Sequence, residues 1–176
     1  MKLKKFHLIE CIVFALVALI NLWPITYGKF FPTLDGAAHL HNAQLIQSLL
    51  YEGSSALHQV YMFTPEVVPN WTGHFLLAGL NSFLPAFVAE KVFLLIYLIG
   101  LPCSFRFFIK KINSPNILLS YLIFPFCYTF LFLLGFYNFS LGILFLFLSL
   151  GLWIQIKQAG ASPKWFVLLA LSVFFT

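Results

Sequence analysis

The sequence predicts an all-α membrane protein, with multi-pass transmembrane helices and a long first outer loop carrying two surface helices. Three observations predict it. Of the 176 residues, 61% are hydrophobic and only 9% are charged, against roughly 25% charged in soluble domains. Apolar runs long enough to cross about 30 Å of hydrocarbon recur along the chain. The Lys and Arg residues fall in small clusters between those runs, which is the pattern of cytoplasmic loops. The net charge of +5 is therefore no sign of nucleic-acid binding.

The first span is expected over residues 8–27. It follows Met1-Lys2-Leu3-Lys4-Lys5 and ends on Trp23-Pro24 and Tyr27, as at a membrane interface. No small-x-small cleavage site closes it, so an uncleaved span is favoured over a signal peptide. The outer loop occupies 28–86. Within it Leu45, Ile46, Leu49 and Leu50 recur with helical spacing, so a surface helix is expected over 36–51. Thr33 or Asp35 can cap it, and Gly53, Ser54 and Ser55 stop it. Trp71–Leu84 is apolar but bounded by Pro69 and Pro85 and too short to cross. It is the second surface helix. Further spans are expected at 87–109, 114–134 and 138–156, with an incomplete one at 165–176. The whole is a single transmembrane domain, expected to be the N-terminal part of a longer protein.

The basic residues decide whether Trp71–Leu84 crosses. If it crosses, four Lys and Arg face the cytoplasm and six face outward. If it does not, eight face the cytoplasm and only Lys29 and Lys91 stay outside, the bias that the positive-inside rule predicts. The second topology puts the N-terminus in the cytoplasm. It also puts the Asp35 loop and the Gly135–Asn138 turn on the same outer side.

Pro32-Thr33-Leu34-Asp35-Gly36-Ala37-Ala38-His39 is the most promising polar stretch. Asp35 and His39 are four residues apart and share a helical face. A carboxylate there can take a proton from an acceptor hydroxyl or help to hold a divalent metal, with His39 assisting. The blander account is a helix cap followed by a surface histidine. Asn138 can bond a substrate or simply serve a tight turn. His41 lies on another face, and His58 sits in a loop upstream of Glu66. Glu90 and Lys91 open the second span, where they can pair with a substrate phosphate or with each other, and where snorkelling to the interface is the blander account. Cys11, Cys103 and Cys127 lie in apolar runs without metal spacing and read as small buried hydrophobes. No H-E-x-x-H, C-x-x-C, G-x-S-x-G or phosphate loop is present.

With these residues placed, the layout resembles the front part of the GT-C superfamily, the integral-membrane glycosyltransferases that use polyprenyl-phosphate-linked sugars. The resemblance rests on Pro32–Leu40 soon after the first span, on Thr64-Pro65-Glu66-Val67-Val68-Pro69-Asn70-Trp71-Thr72-Gly73-His74, and on Gly135-Phe136-Tyr137-Asn138 in the next outer turn. The D-G-x-x-H-L pattern with a later G-F-x-N-F also resembles a loosely characterised set of bacterial multi-pass proteins. The resemblance implies sugar transfer from a lipid-phosphate carrier at the outer face of a bacterial cytoplasmic membrane. It implies Asp35 and His39 as catalytic residues and candidate metal ligands. It implies Asn138, Tyr137, Glu66 and His74 as substrate-binding residues. The implied partners are the bilayer and a polyprenyl-phosphate-linked sugar. A divalent metal is a candidate cofactor. The sequence departs from the family where Gly36 replaces a second acid and where Asn138 stands in place of an acid. The alternative is a non-catalytic multi-pass protein: a transporter fragment, an assembly partner or a module that binds lipid-linked sugars.

Overall fold

The apolar periodicities become helices, and among the described residues there is no strand. The structure, a computed structural model, describes residues 2–52, 55–63, 66, 71–112, 116–159 and 162–174. Helix α1 (Lys2–Asn21) is followed after a one-residue break by α2 (Trp23–Tyr27). Together they take the place of the expected first span. Helix α3 (Gly36–Gln47) runs into a π turn at Ser48–Glu52. Its expected stop at Gly53 and Ser54 lies outside the described residues. A single turn, α4 (Ser55–His58), precedes α5 (Trp71–Asn81), which takes the place of the expected second surface helix.

Helix α6 (Ala86–Lys111) is the spine of the molecule. Glu90, Phe93, Leu94, Tyr97, Leu98 and Leu101 recur at helical spacing and are all buried. It ends on Lys110 and Lys111, whose charges suit a helix C-terminus. It packs chiefly on α8 (Tyr137–Ala159). Helix α9 (Pro163–Phe174) lies against α8, with Ser149 donating to Ser172 at 2.8 Å.

The expected span at 114–134 differs in form. Residues Ile117–Phe126 make a 3-10 helix, opened by the Asn116 side chain, which accepts from the Leu118 N–H. A short helix α7 (Phe130–Leu134) follows, capped by Thr129. Pro125 has no N–H to offer an α-helical ladder, and Cys127–Thr129 separates the two pieces.

Only Ala86–Lys111 and Tyr137–Gln158 among the described residues are single helices long and apolar enough to cross a membrane. Two polar locks mark the ends of α6. At one end the Arg106 guanidinium donates both Nη atoms to the Glu10 carboxylate at 2.6 Å and one of them to Ser120 at 3.1 Å. It lies 4.3 Å from the Phe14 ring centroid. This lock joins α1, α6 and the 3-10 helix. At the other end Glu90 meets Tyr137 and, through it, Thr33. The two locks stand about 24 Å apart along α6 at 1.5 Å per residue.

Candidate functional site

The site forms where three chain segments supply groups that a helix end lacks. Helix α7 leaves its last carbonyls without intrahelical partners. The Leu34 and Asp35 N–H groups donate to the carbonyls of Leu133 and Leu134, each at 3.1 Å. Gly135 then closes α7 in the left-handed region, at φ 89°. Its N–H donates to Phe132 and the Phe136 N–H to Leu131, both at 3.0 Å. This is the Schellman arrangement, for which glycine is the favoured residue. A Cβ on Gly135 would also come within 2.9 Å of the Asp35 nitrogen. The turn therefore needs glycine for its conformation and for its closeness to Asp35.

The Asp35 loop is held from both sides. Asp35 occupies the N-cap position of α3 but makes no side-chain cap bond, so the capping account of this residue does not hold. Its half-buried carboxylate has no hydrogen-bond or ion-pair partner among the described residues. Its backbone is fixed instead: its N–H goes to Leu134 and its carbonyl accepts from His39 at 3.0 Å.

His39 links three segments. Its Nε2 lies 2.8 Å from the Gly135 carbonyl, which can only accept, so Nε2 carries the proton. Its Nδ1 lies 3.1 Å from His74 Nε2, and the two nitrogens share one hydrogen bond. The ring also stacks on Tyr137 with centroids 4.8 Å apart. Both nitrogens of His39 are thus engaged, one with the turn before α8 and one with α5.

Tyr137 is 1% exposed and Glu90 is 8% exposed. The Tyr137 hydroxyl donates to Glu90 Oε1 at 2.7 Å. With its proton committed there, the Tyr137 oxygen accepts from the Thr33 hydroxyl, also at 2.7 Å. Gly36 lies against all three groups, and a Cβ at this position would collide with Glu90 Oε1 and the Thr33 hydroxyl. The glycine in the D-G-x-x-H pattern is thereby explained: its Cβ space is filled by a carboxylate from α6. Asn138 Oδ1 accepts from the Gly73 N–H at 2.6 Å, so Asn138 caps the start of α5 from another helix.

The structure therefore gathers Asp35, His39, His74, Tyr137 and Asn138 at one end of the bundle. Glu66 is exposed and bonds to none of them. The rest of the Pro-rich stretch 64–70 lies outside the described residues. Glu90 belongs to the cluster, although its sequence context favoured snorkelling over a pairing with Lys91 or with a substrate phosphate. Lys91, beside it, donates to the Gly28 carbonyl.

Beside His74 a cavity of about 280 Å³ opens between α3 and α5. Leu45, Ile46, Leu49 and Met62 give it apolar walls, and Asn42 and His74 are among its polar lining groups. Both His39 nitrogens have hydrogen-bond partners, and Asp35 and His39 belong to no group of three or more candidate metal ligands among the described residues. The one group of three candidate ligands among the described residues is His7, Glu10 and Cys11. There Arg106 already holds both Glu10 oxygens. Comparison with known protein families, curated proteins and solved structures gives no match to this chain.

Proposed function

We propose that this chain works as a membrane glycosyltransferase of GT-C type, using a sugar carried on a lipid phosphate at the outer face of the membrane. The observation that carries the reading is the Asp35 carboxylate. It is unpartnered among the described residues and sits on a loop whose backbone is pinned at both sides. A fixed carboxylate without an internal partner is suited to general-base work. In this reading Asp35 takes the proton of an acceptor hydroxyl as that oxygen bonds to the anomeric carbon of the sugar. The bond from that carbon to the carrier phosphate breaks, and the phosphate leaves with the electron pair. His39, Tyr137 and Asn138 hold the frame, and no step passes through a metal. The cavity beside His74 gives the lipid carrier an apolar approach to the site.

A multi-pass arrangement is supported by the two locks. Both α1 and the 117–134 segment run from the Arg106 end of α6 to the Glu90 end. They therefore cover the same height as α6, α1 as a helix continued by α2 and the 117–134 segment as a 3-10 helix followed by α7. A 3-10 helix rises about 2.0 Å per residue, so Ile117–Phe126 covers much of that height in few residues. Leu8, Ile12, Leu19, Leu146, Leu150, Phe166 and Leu171 are all exposed, which suits a hydrocarbon solvent and not water. Lys110, Lys111 and Lys157 lie towards the end opposite Asp35, which by the positive-inside rule supports reading the N-terminus as cytoplasmic.

The test is Asp35→Asn in proteoliposomes supplied with polyprenyl-phosphate-linked sugars. Transfer is expected to disappear while helicity and membrane insertion stay as in the parent. Full transfer by this variant would overturn the reading. Carrier binding without turnover in the parent protein would favour the non-catalytic binding module.

A further inference from the structure

Glu90 sits at the centre of the site, yet nothing so far gives it a task. It is almost fully buried in the first turns of α6. A buried carboxylate persists where it is paired or bonded. Its Oε1 takes the Tyr137 proton, and that bond decides the direction of the next one, from Thr33 to Tyr137. The same oxygen fills the space beside Gly36, the residue that follows Asp35. Tyr137 in turn is the surface on which the His39 ring stacks. Thr33, Gly36 and His39 flank Asp35 on both sides in sequence. Each touches either Glu90 or the tyrosine that Glu90 orients.

We infer that Glu90 is a positioning residue for Asp35, acting through the Tyr137 hydroxyl and the Thr33 hydroxyl. The inference rests on the reading in which Asp35 is the reacting carboxylate. Position 36 marks how the task is divided. A side chain there would need the space that the Glu90 carboxylate occupies, so the carboxylate beside position 36 comes from α6 and not from the loop. The ionised form matters because it can only accept. It fixes both hydroxyl protons in one direction, whereas an amide or a water can bond either way.

Glu90→Gln keeps the shape and one acceptor oxygen but not the charge, and Tyr137→Phe cuts the chain between Glu90 and Thr33. Both are compared with the parent in proteoliposomes carrying a polyprenyl-phosphate-linked sugar. Misplacement of a reacting group by about 1 Å costs on the order of 100-fold in rate. Each variant is therefore expected to lower kcat by about 10- to 100-fold, with the donor KM within about twofold of the parent. The double variant is expected to be no slower than the slower single one, because both break the same chain. A purely structural role would lower the amount of folded protein and leave kcat per folded molecule unchanged. Amide exchange supplies a readout that needs no turnover. Residues 33–39 are expected to exchange at least about tenfold faster in both variants, with residues 141–156 unchanged.

If Asp35→Asn is inactive but both variants keep the parent kcat and the parent exchange rate at 33–39, the positioning role is overturned and the reading of Asp35 stands. If Asp35→Asn is fully active, it is that reading that fails.

Discussion

Gly36 shows how much of this site depends on a single missing methyl group. Its Cβ position is occupied by the Glu90 carboxylate and the Thr33 hydroxyl, with the Tyr137 hydroxyl 2.8 Å away. Gly36→Ala must push these groups apart. Overpacking of this kind costs about 1–3 kcal/mol. A denaturant or thermal unfolding series in detergent should record that loss, and transfer should fall with it. The residues around Gly36 differ in how far the sequence reveals them. Asp35 and His39 stand out because they are polar in an apolar chain and lie one helical turn apart. Glu90 does not stand out, since Glu90-Lys91 looks like any charged pair at a helix start. Its role comes from Tyr137, 47 residues away, and no local pattern encodes that distance. The same holds for His39: the spacing places it near Asp35, but its bonds to Gly135 and His74 come from the fold.

Among the elements, α1 is the one most dependent on a polar contact. Most of its apolar side chains are exposed, from Phe6 to Ile20, while Glu10 is buried with Arg106 of α6. Removing one partner of a buried pair leaves a charge without compensation and costs about 3–5 kcal/mol. Arg106→Ala should therefore destabilise the protein by that amount in mixed-micelle unfolding. Replacing both residues, as in E10L/R106L, should recover most of the loss, because well-packed apolar pairs often match buried ion pairs. The sequence shows Arg106 only as one more basic residue near the end of a span. The 117–134 segment shows a different limit. Ile117–Phe126 is apolar at nearly every position, so no stripe separates a repeat of 3.0 residues from one of 3.6. Pro125 was visible, but the 3-10 form was not, since runs longer than three or four residues are uncommon.

For the molecule as a whole, composition carried the all-helical class, and the apolar runs at 87–109 and 138–156 became α6 and α8. The placing of the Asp35 loop beside the Gly135–Asn138 turn followed from counting charges, and the two segments are hydrogen-bonded to each other. The proposed topology makes a further prediction. In a variant lacking Cys11, Cys103 and Cys127, a cysteine at Ser82 should react with a membrane-impermeant thiol reagent added outside intact cells. A cysteine at Lys157 should react only after the membrane is opened. The reverse pattern would invert the assigned orientation.

The bond between Thr33 and Tyr137 joins residues 104 positions apart, and this dictates an order of assembly. As the chain leaves the ribosome, the first loop emerges long before its partners exist. Leu34 and Asp35 have no carbonyls to cap until α7 is made, and Glu90 has no hydroxyl to orient until Tyr137 follows. The loop must wait through the synthesis of α6 and the 3-10 helix before it can close onto the turn. The long-range closure is then the last and slowest event of the site. Until it happens, the first loop lacks the bonds that hold Asp35 in place.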